Sequence, residues 1–175
     1  MPPLLPFHLH TYQVATIILL PPLICSVYFQ TLYPSVSPGD SGELIAAAFT
    51  RSVPHPPGYP SFSFLYSLAL EGYSWYSDFN VPFEDRWNPA FVANVLTAGL
   101  ASVNASLVCL LGAALAFTFR DTASQMGCPT LTAAEFLPPV TFAVYYAFSA
   151  GIWEYSLQPE VFTLVSGAGR RARCA

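Results

Sequence analysis

A mostly apolar run extends from Tyr12 to Tyr33 and is interrupted by Pro21-Pro22. Crossing the hydrocarbon as a helix takes about 20 such residues, so the run predicts a first membrane span, kinked at its prolines. Pro34 to Pro60 then turns polar and rich in Pro and Gly. Inside it, Glu43 to Phe49 (ELIAAAF) has good helix propensity and predicts a short helix lying along the interface. Pro57 to Gly72 is apolar and aromatic but short, which suits a re-entrant or juxtamembrane helix as well as a span. Tyr73 to Asn88 reads as a polar connection. Ala90 to Phe119 is a second clear span, and its Ala, Gly and Ser content allows close helix packing. Arg120 to Glu135 reads as a short loop, and Phe136 to Tyr155 as a third span. No internal repeat is evident.

Composition turns these spans into a class. Only 9% of residues are charged and 54% are hydrophobic, whereas a soluble domain carries about 25% charged residues. Six Lys+Arg and ten Asp+Glu cannot cover a soluble core. The expected fold is therefore all-α, with polytopic membrane helices and a short interfacial helix in the first luminal loop. The net charge of −4 points to no charged partner, and no basic patch suited to nucleic acid is present. Cys25, Cys109, Cys128 and Cys174 show no metal-ligand spacing and define no disulfide framework. The first fifty residues hold no Lys or Arg, and the first span ends in Tyr28, Phe29 and Tyr33, which suits a retained anchor better than a cleaved leader. The last residues, Gly167 to Ala175 (GAGRRARCA), break the apolar pattern, and residues 166–175 are expected to mark a truncation or a change of reading frame.

The topology has a parity problem. With a cytosolic N-terminus, a spanning Pro57–Gly72 leaves Glu160 in the cytosol. A non-spanning one puts Arg120 in the cytosol and gathers Asp40, Glu43, His55 and Glu160 at the luminal mouth. The second arrangement also keeps a positive charge inside and is the one favoured.

Charge beside a bilayer is costly, so the acids there are the functional candidates. Gly39-Asp40-Ser41-Gly42-Glu43 offers a carboxylate as general base for an acceptor hydroxyl. Its spacing equally fits a capping box, with Asp40 at the N-cap and Glu43 three residues on. In His55-Pro56-Pro57-Gly58-Tyr59-Pro60 a stiff backbone carries a His and a Tyr. They either reach a phosphate at headgroup level or merely open a helix. Trp153-Glu154-Tyr155 reads as an interfacial belt. Glu160, after Pro159, either lines a polar cavity or is a first-turn acid. Arg86 either pairs with Glu84 or Asp85 or contacts an anion. The sequon Asn104-Ala105-Ser106 lies mid-span, beyond reach of modification. Neither a Gly-rich phosphate loop, a Cys/His metal site, an Asp-x-Asp motif nor a supported Ser-His-Asp set is present.

In order, PSVSPGDSGELIAAA, HPPGYP, NPAFVANVL and WEYSLQPEVFTL resemble one family. It is the polytopic GT-C-type glycosyltransferases, and within them the transmembrane protein O-mannosyltransferases that act on plexin-type receptor domains. The resemblance covers roughly Tyr12 to Val165. It implies inverting transfer of mannose from a dolichyl-phosphate donor to Ser/Thr hydroxyls of luminal protein domains, in a multi-pass protein of the endoplasmic reticulum membrane. By the same resemblance the family's catalytic acidic residue in the first luminal loop falls on Asp40, as base, with Glu43 as a supporting acid. The family's HPP element falls on His55, Pro56 and Pro57, near the donor phosphate, and its EVF element falls on Glu160. The partners implied are the lipid-linked donor, a protein acceptor and the membrane, with no cofactor and no metal. Residues 1–165 are then the N-terminal transmembrane part of a GT-C-like domain. The competing reading is a non-catalytic polytopic membrane protein, a transporter fragment or assembly subunit, whose acidic loop only caps a helix.

Overall fold

A computed structural model of the chain describes residues 10–123 and 131–159. Among them the elements are all helical: α1 (Thr11–Thr31), α2 (Ser41–Thr50), α3 (Pro60–Asn80), a 3-10 turn (Phe83–Asp85), α4 (Pro89–Ala123), α5 (Ala133–Ala147) and α6 (Ala150–Ser156). Over Gln13–Thr31 and Pro89–Phe119, α1 and α4 are long and apolar enough to cross a membrane. The all-α, membrane-spanning expectation therefore holds for the described residues. The atypical tail lies outside them.

Two elements differ from the sequence reading. The stretch from Tyr73, read as a polar connection, continues α3 to Asn80. Phe62, Tyr66, Leu70, Tyr73 and Ser77 recur at helical spacing, and their packing carries the helix past Gly72. The predicted span Phe136–Tyr155 is broken into α5 and α6, bent by 63°. At the break the Ser149 hydroxyl and amide both donate to the Tyr146 carbonyl, and Gly151 follows. Ser/Gly pairs that divert backbone bonds in this way are a regular cause of sharp kinks. The start of α5 also lies earlier than expected. Thr132 and Glu135 form a capping box inside the segment read as a loop. By contrast, α1 carries through Pro21 and Pro22 as one helix.

The chain divides into two compact units. One comprises the residues up to Ser26 and Ala101–Ile152. Here α4 turns small residues inward, with Ala101, Ala105, Cys109 and Ala113 all buried. Small side chains let backbones approach closely. The Ser106 hydroxyl donates to the Ile17 carbonyl at 2.9 Å, and a methyl group added at Gly112 would lie 3.2 Å from Pro139 Cβ. Buried Gln13 donates to the Leu131 carbonyl at 2.9 Å, which satisfies a polar group that burial would otherwise penalise.

The other unit comprises Val27–Leu100 and the residues from Trp153. Its core is Leu44, Ile45 and Ala48 of α2, Phe62, Tyr66 and Leu70 of α3, and Ala90, Val92 and Ala93 of α4. Phe62 stacks on Tyr66 at 4.0 Å, and the buried Tyr66 hydroxyl bonds Thr97. Two asparagines fasten the end of α1 to the start of α4. Asn88 donates to the Pro34 carbonyl at 2.8 Å, and Asn94 to the carbonyls of Tyr33 and Ser35 at 2.8 and 3.0 Å. The exit of one span is thus tied to the entry of the next.

Candidate active site

The site is built on the α2–α3 connection. Asp40 is the N-cap residue of α2, and its carbonyl accepts the amide of Leu44 at 3.0 Å. Its carboxylate makes no capping bond and stays 66% exposed. Two turns of backbone steer the chain back towards it. At the C-cap of α2, Arg51 takes the left-handed conformation (φ 55°) while its amide bonds the last-turn carbonyls. Its guanidinium pairs with Glu71 on α3. Next, the Gly58 amide closes a tight turn on the His55 carbonyl at 2.9 Å. Gly58 has φ 86°, and a side chain there would meet Val53 at 3.0 Å, so this position requires glycine.

That turn presents His55 to Glu43. The His55 amide donates to Glu43 Oε1 at 2.7 Å, and Nδ1 lies 3.1 Å from Oε2. Both carboxylate oxygens of Glu43 are therefore engaged by one residue. His55 Nε2 is 4.0 Å from Asp40 Oδ2, an ion-pair distance rather than a hydrogen bond. The Tyr59 ring meets the imidazole edge-on at 5.5 Å. Asp40, Glu43, His55 and Tyr59, four residues singled out from sequence, thus form one group.

The His55 amide, and after it the His55 ring, hold the Glu43 carboxyl below its ordinary range. A carboxyl whose folded pKa is depressed contributes stability above its unfolded pKa, about 4.3 for Glu, and loses it as pH falls through the lower folded value. We expect the Glu43–His55 pair to survive mild acid and to open only below the ordinary Glu range. Carboxyl NMR of the 175-residue chain checks this. His55→Ala, which keeps the amide and removes the ring, should move the Glu43 titration part of the way upward, and an unmoved curve would show that the ring contributes nothing.

The other two candidates stand apart from this group or outside the description. Arg86 does find a local carboxylate, that of Asp78 at 2.6 Å, and also donates to the Val81 carbonyl at 3.2 Å. Those partners lie at the α3–α4 connection. Glu160 lies outside the described residues. Among those residues, no group of three or more His, Cys, Asp and Glu side chains is arranged to hold a metal ion.

Sequence reasoning assigned no role to Asn88 and Asn94, the pair that brings the two spans together. Asn88 was legible as a helix start, because Asn followed by Pro is an N-cap and first-turn pair. Its Oδ1 does accept the Phe91 amide at 2.8 Å. Nothing local announces Asn94, whose partners lie 59 and 61 residues away.

Comparison with known proteins places these residues in context. The family described as the protein O-mannosyl-transferase TMEM260 N-terminal domain matches residues 40–168, beginning at Asp40 itself. The protein O-mannosyl-transferase TMEM260 of Mus musculus is 33% identical over 142 residues, covering 81% of this chain and 16% of the relative. The protein of the same description from Dictyostelium discoideum is 32% identical over 154 residues, covering 86% and 15%. The chain therefore spans about a sixth of the length of these relatives. No solved structure matches it. With its match running through both carboxylates, the histidine turn and the second span, the chain belongs to the TMEM260 N-terminal domain family of protein O-mannosyl-transferases.

Proposed function

We propose that Asp40, Glu43 and His55 belong to the active site of a membrane O-mannosyl-transferase. It moves mannose from a dolichyl-phosphate carrier to Ser/Thr hydroxyls of protein domains on the luminal side of the endoplasmic reticulum membrane. The names of the relatives supply the reaction class; the donor, acceptor and compartment are the reading that fits the site.

The observation that carries this is that neither carboxylate caps α2. Asp40 makes no capping bond, and Glu43 spends both oxygens on His55. A non-catalytic loop that only starts a helix would use them for that purpose. Here one acid is fixed by a histidine and the other is left open to solvent beside it. The chemistry asks for the same parts. The phosphate leaving group departs with little acid help, whereas the acceptor hydroxyl needs a base within hydrogen-bond reach. A lipid-linked donor also explains a site at the membrane face where α1 ends and α4 begins. Tyr59 and His55 lie where they can meet the donor phosphate, and no cofactor is required.

The test is an exchange. Residues 40–168 of this chain replace the matching segment of the mouse relative in cells lacking that protein. Mannose on a secreted plexin-type receptor domain is then read by mass spectrometry. We expect transfer to be retained; a normally abundant chimera that adds no mannose would overturn the reading.

A further inference from the structure

Glu43 does more than sit beside the base. It holds His55 at two points, the backbone amide and ring Nδ1. A carboxylate can only accept, so the ring nitrogen facing Glu43 must carry the hydrogen. The hydrogen bond at one ring nitrogen fixes the state of the other. In neutral His55, Nε2 is then left with a lone pair, and Nε2 is the nitrogen that faces Asp40 at 4.0 Å. In that neutral form the ring offers the site a proton acceptor, not a donor. A ring in that state does not donate from Nε2 to a phosphate at headgroup level, the contact read for His55 from the sequence.

We propose that Glu43 is a positioning residue that locks His55 as its Nδ1–H tautomer, so that His55 Nε2 receives the proton which Asp40 removes from the acceptor hydroxyl. This rests on the transferase reading and extends it. In the first step the acceptor O–H bond breaks and its proton passes to Asp40 Oδ2. The freed oxygen pair forms the bond to the anomeric carbon, and the bond from that carbon to phosphate breaks with its pair on the phosphate oxygen. In the second step the proton moves from Asp40 to His55 Nε2. The imidazolium so formed is balanced by Glu43 and only now has an Nε2–H to present to the departed phosphate. Water finally takes the proton and resets the site.

Geometry permits each part. Closing the gap between Asp40 and Nε2 to hydrogen-bond length takes about 1 Å, and Asp40, 66% exposed and without a cap bond, is free to turn that far. His55 is 37% exposed, so water reaches it. The charged and titratable groups that face the ring are Asp40 and Glu43 from α2 and Tyr59 from its own turn. The nearest cation in sequence, Arg51, is paired with Glu71.

The experiment reads the tautomer directly. Nitrogen NMR of the full 175-residue chain, labelled in its imidazoles and held in micelles, should show His55 with hydrogen on Nδ1 at high pH. Glu43→Gln, whose amide nitrogen competes as a donor, should release it to a mixture, and Glu43→Asp should restore part of the lock. In the mouse chimera, Glu43→Gln should cut kcat about tenfold or more with KM for the lipid donor unchanged. A wild-type ring with hydrogen on Nε2, or a tautomer indifferent to Glu43→Gln, would overturn the relay. The transferase reading would survive that result, because it is tested separately, by mannose transfer in the unsubstituted chimera and by Asp40→Asn. Should Glu43→Gln fail to fold, the wild-type spectrum and Glu43→Asp decide alone.

Discussion

Asp40→Asn in the mouse chimera is expected to abolish mannose transfer, by at least about a hundredfold, while leaving protein abundance unchanged. The substitution keeps the side chain's shape and removes its negative charge, and with it the ability to take a proton. Stability should be untouched because the Asp40 side chain is exposed and makes no bond to the end of α2. The fold therefore does not depend on the charge, and a loss of activity would report chemistry alone. Transfer assayed by mass spectrometry beside an immunoblot for abundance separates the two. Transfer at the unsubstituted rate would remove Asp40 from the mechanism and return the acids to a structural role.

The largest effect on the fold is expected at Phe62. It is 1% exposed, stacks on Tyr66 and packs among Leu44, Ile45 and Ala93, at the meeting of α2, α3 and α4. Phe62→Ala would remove the ring and leave a cavity that rigid helices cannot close, costing about 3 kcal/mol or more. Phe64, two residues away, points out of this core and is 66% exposed. Phe64→Ala should change little. Thermal unfolding of the two variants in the same detergent checks the contrast, and equal midpoints would show that the cluster does not hold α2 on α3. Because α2 carries Glu43 and the start of α3 is reached through His55, Phe62→Ala should also loosen their pairing at temperatures where Phe64→Ala leaves it intact.

The spans were legible because lipid imposes a simple demand, an unbroken apolar run of sufficient length. The short helix at Glu43–Phe49 was legible from propensity and extends by only a few residues, to Ser41–Thr50. What stayed hidden depended on distant partners. The aromatic and polar residues after Gly72 look like a connection until Tyr73 is seen stacked on Trp87, its hydroxyl taking the Trp87 amide. The break at Ser149 follows from one hydroxyl turning back on the helix, a choice that apolar content does not record. At the site, Asp40, Glu43, His55 and Tyr59 were recognisable by type and spacing. Whether Glu43 would cap its helix or hold the histidine was not, since both uses want an acid at the same place. The loop decides it by delivering a backbone amide and a ring nitrogen together. Arg86, open in the sequence between a pair with Glu84 or Asp85 and an anion contact, bonds Asp78 across the 3-10 turn.

The asparagine ties also order events while the protein is being made. Glu43 and His55 are twelve residues apart, so their contact becomes possible as soon as the ribosome has released that hairpin. The ties at Asn88 and Asn94 join residues 54 to 61 apart and must wait for the start of the second span. At about 5–20 residues per second, that delay lasts several seconds. Over that interval the Glu43–His55 corner exists without the clasp at the end of α1, and the clasp closes only when the start of the second span has been made.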